Sequence, residues 1–340
     1  MSSPAHDSFI TIKKQITLMK ILVIRFSSMG DIIYTTPVVR CLKKQLPNAE
    51  VHFLTKAAFK YIYDNNPYVD KLLLLKQTLS ETIKDIRAEQ YDYIIDLHNN
   101  LRTTLIKLNV RVKSSTYKKQ TIRKWLSLKL NLKLVPPVHL VDRYMQTVAF
   151  LGVKNDEQPI DYYIKADHDI KQLLPPSHQN NYIAFIIGAT HFTKRMPNEK
   201  IISICRKLNQ PVVLLGGDDV KANGQQIKSE TDNVYNACGI TTLDESVFLV
   251  SKASSVIGFD TGLTHIAEAF DRPIASVWGG TVPELLGVQP YKVKEVLVAG
   301  IDLPCRPCSK FGLEKCPLGH FKCMNDMPEK MITDFANKFW

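Results

Sequence analysis

Residues 20–31 read KILVIRFSSMGD, and this stretch decides how the rest of the sequence is interpreted. The apolar run at 20–26, rich in β-branched residues, is typical of a buried strand, and the polar turn SSMGD follows it at once. Gly30 permits a tight turn, after which a helical segment with Pro37 inside it extends to about residue 45. A strand that leads directly into a helix predicts the first unit of a parallel α/β sheet.

The alternation of strands and helices repeats along the whole chain. In the first half the expected strands are 20–26, 50–54, 69–75 and 91–97. In the second half they are 182–187, 211–215, 255–258 and 273–277, with helices at about 198–208, 220–229, 243–252 and 264–270. The segment KQLLPPSHQNN at 171–181 carries two prolines and predicts a linker. These patterns predict an α/β fold of two Rossmann-like domains, 19–170 and 182–326, whose parallel sheets face a central cleft, followed by a last helix at 327–340.

The composition is that of an ordinary globular protein. A length of 340 residues favours two domains at about 100–200 residues each. No stretch reaches the ~18 consecutive apolar residues that a membrane span needs, and the N-terminal extension 1–18 lacks the apolar segment of a signal peptide. Seven cysteines, an odd number, without a secretion signal favour the reducing cytoplasm.

The net charge of +11 is concentrated in a basic insert at 98–141. No Asp or Glu occurs from residue 97 through residue 141, whereas the same stretch holds ten basic residues: Arg102, Lys107, Arg111, Lys113, Lys118, Lys119, Arg123, Lys124, Lys129 and Lys133. A helix at 120–132 is expected to carry Ile122, Trp125 and Leu126 on one side and Arg123, Lys124 and Lys129 on the other. This local excess of positive charge predicts an anionic partner, although a solvated basic face is the alternative.

Four turns at strand ends carry the residues that could take part in chemistry. The carboxylate of Asp31 either acts on a substrate in the cleft or caps the helix that follows. The turn GFDTGLTH at 258–265 offers a hydroxyl and free amides for a diphosphate, or is an ordinary turn with a buried His265. Lys194, after the strand that ends near Gly188, suits a phosphate or is a solvated cation. Asp218 accepts hydrogen bonds from ribose hydroxyls or belongs to a simple turn.

A cluster of cysteines near the end of the chain suggests a metal site. Cys305, Cys308, Cys316 and Cys323 open with a C-x2-C pair and could hold a structural zinc ion. The alternative is a set of reduced thiols, because the second half of the cluster lacks the usual C-x2-C spacing.

The sequence motifs at these turns, taken in order, resemble those of the heptosyltransferases of lipopolysaccharide core assembly, glycosyltransferase family 9. The similar phrases are RFSSMGDIIYTTPVVRCLKK, DLHNNLRT, HLVDRYMQTVAFLGV, IGATHFTKRMP, LLGGDD and FDTGLTHIAEAFDRP. They extend from about residue 20 to the end of the chain. Two departures are Met196, where the family commonly has Trp, and Asp218, which is shorter than the Glu of some members.

The resemblance implies a GT-B fold and an inverting, metal-independent glycosyltransferase. The donor would be ADP-heptose, and Asp31 would be the general base. The residues expected to bind the donor are Thr190, Lys194, Asp218, Asp260, Thr261, Gly262 and His265. The acceptor would be the anionic lipid A inner core, and the candidates for binding it are Ser28, Arg102, Arg123, Lys124 and Arg143. The enzyme is then expected in the cytoplasm, peripheral to the inner leaflet of the membrane, with no cofactor for catalysis.

Two other functions remain open at this point. A sugar-nucleotide epimerase of the same fold would convert the donor without any acceptor. A basic protein that binds a membrane or a nucleic acid without catalysis is compatible with the charge, but the sequence has no recognised nucleic-acid module, and no nucleic-acid partner is expected.

Overall fold

The structure, a computed structural model, describes residues 18–130 and 132–340. The expected N-terminal extension, apart from its last residue, lies outside the described residues. Two parallel sheets organise the chain, and we call the part that carries the first sheet the N-terminal half and the part that carries the second sheet the C-terminal half.

The first sheet is formed by short strands that alternate with helices. Its strands are β1 (Met19–Ile24), β2 (Ala49–Thr55), β3 (Lys71–Leu74), β4 (Tyr93–Asp96) and β5 (Lys113–Thr116). They pair in parallel in the order β3-β2-β1-β4-β5, so that β1 lies in the centre. The β-branched residues of β1 are fully buried, which is the environment of a central strand covered on both faces.

The second sheet has the same parallel construction. Its strands are β6 (Ile183–Ile186), β7 (Val212–Leu215), β8 (Val234–Asn236), β9 (Ser255–Phe259), β10 (Ile274–Val277) and β11 (Val296–Ala299). The order is β11-β10-β9-β6-β7-β8. The strand order reverses direction between β6 and β9, and ligands of such sheets bind beside the carboxyl ends of the strands at this point.

Helices cover the faces of both sheets. Those of the N-terminal half are α1 (Met29–Ile33), α2 (Thr36–Gln45), α3 (Leu79–Ala88), α4 (Leu101–Val110), α5 (Thr121–Leu130), α6 (Leu140–Met145) and α7 (Ile170–Leu173). Those of the C-terminal half are α8 (Asn198–Leu208), α9 (Lys221–Ser229), α10 (Leu243–Lys252), α11 (Gly262–Ala267), α12 (Pro283–Leu286), α13 (Lys322–Asn325) and α14 (Glu329–Asn337). Within the described ranges, no helix is long and apolar enough to cross a membrane.

The helical segment expected between residues 27 and 45 is interrupted. α1 ends at Ile33, and α2 starts at Thr36 with Pro37 in its first turn, where the missing N–H of proline costs no helical hydrogen bond. The interruption turns the side chain of Tyr34 toward the C-terminal half, where its hydroxyl contacts Glu268.

The two halves also meet through α6. Leu140 N–H donates to the carbonyl of Gly287 at 2.7 Å, and the Tyr291 hydroxyl donates to Asp142 at 2.9 Å. Arg143 donates to the carbonyl of Leu286 at 2.6 Å. These contacts join α6 to the segment that follows α12, and they close one side of the space between the sheets.

Candidate active site

A cavity of about 440 Å³ lies between the two halves. From the N-terminal half it is lined by Ser28, Asp31 and Lys124, and from the C-terminal half by residues of the turn after β9 and of the loop after β6. The sequence-predicted residues on its wall are Ser28, Asp31, Lys124, Thr190, Lys194, Asp260, Thr261, Gly262 and His265. The turn that ends β1 and the turn that ends β9 therefore border one space.

Asp31 caps α1 and borders the cavity at the same time. Ser28, the N-cap residue, donates its backbone N–H at 3.2 Å and its hydroxyl at 2.8 Å to Oδ2 of Asp31. The guanidinium of Arg25 contacts the same oxygen at 2.7 Å. Within the described residues Oδ1 of Asp31 accepts no hydrogen bond. Because the three contacts fall on one oxygen, the carboxylate is fixed and its second oxygen is available to a substrate.

The surroundings of Asp31 keep it ionised. Burial raises the pKa of this carboxyl, but the charge of Arg25 and the hydrogen bonds from Ser28 outweigh burial, and the pKa lies below its usual value. Arg25 is itself held by the carbonyls of Ser27 at 2.7 Å and Leu97 at 2.6 Å. The sequence analysis did not identify Arg25, although a charge inside an apolar strand run is a signal that could have done so.

The opposite wall carries a second buried carboxylate, Asp260. Lys194 Nζ contacts its Oδ2 at 2.5 Å, and Thr281 donates to the same oxygen at 3.3 Å. His265 Nε2 lies 3.3 Å from Oδ1. Burial raises the pKa of Asp260, but His265 and Lys194 lower it by more than burial raises it, and the pKa falls to about 2. Asp260 is thus a charged group that positions Lys194 at the cavity wall.

Tyr34 connects the two walls. Its hydroxyl donates to Glu268 Oε1 at 2.7 Å and lies 2.8 Å from Nδ1 of His265, which is 3.0 Å from the same carboxylate oxygen. Burial lowers the pKa of His265, but the hydrogen bonds and charges of Asp260 and Glu268 raise it to about 9. The imidazole is therefore positively charged near neutral pH, on the cavity wall beside Lys194.

Glycines allow α1 and α11 to approach closely. A Cβ on Gly30 would lie 2.7 Å from Cδ2 of His265, whose ring is fixed by its hydrogen bonds. A Cβ on Gly262 would overlap the side chain of Met29. Each helix therefore uses a glycine opposite a side chain of the other, and this contact brings Asp31 to the C-terminal half.

The basic insert contributes fewer residues to the cavity than the sequence predicted. Lys124 is only 8% exposed, and burial together with the charges of Arg143 and Lys310 lowers its pKa to about 7. Arg102 and Arg123 are exposed to solvent on α4 and α5. Arg143 is buried behind the cavity, with Nη2 bonded to the carbonyl of Leu286. Arg102, Arg123 and Arg143 are not among the residues that line the cavity.

The helix expected at 120–132 is α5, and two residues of its apolar side are exposed. Ile122 and Trp125 are 74% and 56% exposed, whereas Lys124 is buried. Arg123 and Lys129, expected on the same side as Lys124, are exposed, and Lys124 alone of these three packs inward. Ile122 and Trp125 are consequently available to a partner.

Two further sequence-predicted sites lie away from the cavity wall. Asp218 is exposed in the turn after β7, against Gly239 in the loop that follows β8. The four clustered cysteines are free thiols, of which Cys323 is buried and the others are half-buried. Across 18–130 and 132–340, no group of three or more His, Cys, Asp and Glu side chains is arranged to hold a metal ion. The structural zinc ion stays a prediction.

Comparison with known proteins identifies relatives over most of the chain. The family model described as glycosyltransferase family 9 (heptosyltransferase) matches residues 80–318. Lipopolysaccharide heptosyltransferase 1 of Campylobacter coli is 25% identical over 295 residues, which are 77% of this chain and 84% of that protein. The protein of the same name from Escherichia coli K12 is 26% identical over 292 residues, 79% of this chain and 90% of that protein.

Solved structures share the fold along nearly the whole chain. A family 9 glycosyltransferase from Veillonella parvula superimposes with a TM-score of 0.75 at 19% identity, covering 95% of this chain and 97% of that one. The Escherichia coli heptosyltransferase WaaC with ADP gives a TM-score of 0.67 at 17% identity, covering 95% and 100%. The Escherichia coli glycosyltransferase TibC, described as iron-containing, gives 0.56 at 14% identity, covering 94% and 76%.

These likenesses agree with the two parallel sheets and confirm the predicted GT-B fold. The family model covers well over half of the chain, from the helix before β4 to the cysteine cluster. The chain therefore belongs to glycosyltransferase family 9, the heptosyltransferases.

Proposed function

We propose that the protein transfers a heptose from ADP-heptose to an anionic sugar of a lipopolysaccharide inner core, with inversion at the anomeric carbon. Membership of the heptosyltransferase family supports the reaction class. Lipopolysaccharide heptosyltransferases among its relatives support the acceptor, and an Escherichia coli relative solved with ADP-2-deoxy-2-fluoro heptose supports the donor. The observation that carries the proposal is the shared cavity with Asp31 on one wall and Asp260, Lys194 and His265 on the other.

The C-terminal wall suits the donor. Lys194 and the protonated His265 bring positive charge to one side of the cavity, and Thr190, Thr261 and Gly262 line it beside them. When the bond between the anomeric carbon and the diphosphate breaks, negative charge grows on the leaving ADP. Preorganised cations stabilise such charge most effectively where water is excluded. We therefore assign the diphosphate to this wall, and Asp218, outside it, remains a proposal for the ribose.

The N-terminal wall suits the acceptor. Oδ1 of Asp31 takes the proton of the acceptor hydroxyl, whose oxygen then bonds to the anomeric carbon as ADP departs from the opposite side. One displacement inverts the configuration of this carbon. Ser28 fixes the base, and Lys124 lies on the same wall to meet an anionic acceptor. Because Lys194 and His265 are placed to donate hydrogen bonds to the leaving diphosphate, the proposal requires no metal ion in catalysis.

The replacement Asp31→Asn tests the base. The amide keeps the shape of the carboxylate but cannot accept the proton, so we expect kcat to fall by about 10²–10⁴-fold while ADP still binds. Transfer is measured by mass spectrometry of the acceptor, and ADP affinity by calorimetry, both in EDTA. Asp167→Asn, at an exposed site, is the matched control.

Three results would contradict the proposal. Full activity of Asp31→Asn would exclude Asp31 as the general base, and loss of wild-type activity in EDTA would contradict the metal-free mechanism. Conversion of the donor without an acceptor would favour an epimerase.

We also propose that this enzyme works at an anionic membrane surface. The helix α4 exposes Leu101, Leu105 and Leu108 at the spacing of one helical face, and α5 exposes Ile122 and Trp125. Basic residues of the insert are exposed on the same two helices. Exposed Trp and Leu beside Lys and Arg are typical of helices that lie in a membrane interface, where each basic residue contributes about 1 kcal/mol near an anionic surface.

Vesicle binding tests this surface. We expect wild-type protein to sediment with vesicles that contain phosphatidylglycerol, and the double variant Ile122→Ser/Trp125→Ser to sediment at least several-fold less, because it loses the apolar contact. Ile240→Ser, which removes a similarly exposed apolar side chain of the C-terminal half, is the control. Equal sedimentation of the double variant and wild type would refute the assignment.

A further inference from the structure

A loop that carries three of the four clustered cysteines is fixed to the donor wall of the cavity. This cysteine loop, residues 302–321, follows β11 and precedes α13. Leu313 accepts a hydrogen bond from Thr193 N–H at 3.1 Å and donates its own N–H to Thr193 Oγ1 at 2.8 Å. Cys308 N–H donates to the carbonyl of Gly280 at 2.8 Å. Thr193 precedes Lys194, so the loop is attached to the turn that carries a proposed donor-binding residue.

From this attachment the loop extends two side chains to the cavity wall, Lys310 and Phe311. Lys310 is half-buried, and its Nζ lies 4.5 Å from the centre of the Phe311 ring. No carboxylate among the described residues forms an ion pair with it. Neither the family resemblance nor the turns at the strand ends identified this lysine.

Two basic residues of the N-terminal half share the cavity wall with Lys310. Lys119 and Lys124 line the same cavity, and the ammonium group of neither forms an ion pair or a hydrogen bond within the described residues. The charge of Lys310 acts on both of them. Lys124 is more than nine-tenths buried. Lysine is seldom buried this deeply without a partner, because the ammonium loses its hydration and gains nothing in return.

We propose that Lys310, Lys119 and Lys124 form an anion-binding subsite that spans the two halves and takes a carboxylate or phosphate group of the acceptor. The inference rests on the proposed transferase function. A bound anion pairs with three ammonium groups that have no other partner, and so compensates for the hydration they lose. It lies beside Asp31, on the acceptor side of the cavity. Because Lys310 comes from the C-terminal half, the bound acceptor holds the halves together over the reacting atoms.

Chemical labelling tests the subsite without relying on catalysis. Wild-type protein saturated with ADP is acetylated with an N-hydroxysuccinimide ester, and the rate at each lysine is followed by mass spectrometry. We expect inorganic phosphate to slow acetylation of Lys310 and Lys124 several-fold and to leave Lys315, exposed on the same loop, unchanged. Absence of protection by phosphate, or complete protection by ADP alone, would overturn the subsite, the latter by assigning Lys310 to the donor diphosphate.

Kinetics of Lys310→Gln give a second readout. We expect the KM for the acceptor to rise about tenfold or more, as for loss of one charged hydrogen bond, while the KM for ADP-heptose stays within twofold. Lys315→Gln is the matched control. An unchanged acceptor KM, or a rise in the donor KM alone, would overturn the proposal. Failure of the transferase function itself is recognised separately, because wild-type protein would then transfer no sugar.

Discussion

At the residue scale, Asp31 shows how one carboxylate serves both a helix and a reaction. Its Oδ2 is used by the cap of α1 and by Arg25, and its Oδ1 is left for the acceptor. Arg25 keeps this base ionised but also makes it a weaker proton acceptor, because it stabilises the charged form. The pH dependence of kcat/KM should therefore depend on the charge of Arg25.

The replacement Arg25→Met isolates this electrostatic effect. Loss of the guanidinium charge raises the pKa of Asp31, so the acid limb of kcat/KM should move to higher pH. Arg25→Lys, which retains a charge, should move it less. The profile of kcat/KM against pH measures the shift, with thermal unfolding to compare the stability of the two variants. If the acid limb of Arg25→Met lies at the same pH as that of the wild type, Arg25 does not control the pKa of Asp31.

Some site residues can be predicted from the sequence and others cannot. Asp260 directly follows β9, and Asp31 and Lys194 lie in the segments that follow β1 and β6, so their positions along the chain predict a place at the carboxyl edge of a sheet. Tyr34 and His265 are separated by 231 residues, and only the packing of the two halves brings them together. Lys310 lies within the cysteine cluster, between Cys308 and Cys316, where the thiol spacing indicated a metal site and gave no sign of the cavity.

At the scale of elements, the strands that the sequence analysis missed are all edge strands. β5 and β8 lie at one end of each sheet, and β11 lies at the other end of the second sheet. The central strands carry continuous buried apolar runs, which the sequence reveals. β5 has the sequence KSST and is largely accessible, so it lacks the apolar pattern by which a strand is recognised.

The contact between α1 and α11 is the element pair most sensitive to a small change. In Gly30→Ala the new methyl group would meet the ring of His265, which Asp260, Glu268 and Tyr34 hold in place. We expect a loss of about 1–3 kcal/mol in the free energy of unfolding, typical of overpacking, and a lower kcat.

Urea unfolding measures the effect of Gly30→Ala. Gly188→Ala, whose methyl group would meet no atom closer than 3.4 Å, is the control for stability. If Gly30→Ala is no less stable than Gly188→Ala, the two helices do not pack as described.

At the scale of the whole molecule, a buried imidazolium joins the two halves. The pKa of His265 is raised from its ordinary value of 6.5 to about 9, so protonation favours the folded state. The contribution is complete below about pH 6.5 and is lost as the pH rises through about 9. The network of Tyr34, His265 and Glu268 should therefore weaken at alkaline pH.

Unfolding at two pH values tests this linkage. We expect the free energy of unfolding of the wild type to decrease from pH 6.5 to about pH 9.5, and that of His265→Gln to decrease less, because the other titrating groups are common to both proteins. Urea titrations of the two proteins at each pH provide the comparison. Parallel decreases in the two proteins would show that His265 does not carry the charge.

The reciprocal fit of Gly30 to His265 and of Gly262 to Met29 has a consequence for hybrid enzymes. A chimaera that joins this acceptor half to the donor half of another transferase inherits only one member of each pair. Any side chain larger than hydrogen at the position of Gly262 would hold Met29, and with it the base, away from the sugar nucleotide. Exchange of donor specificity by swapping halves therefore depends on the absence of a side chain at Gly30 and at Gly262, on the wall of the cavity itself.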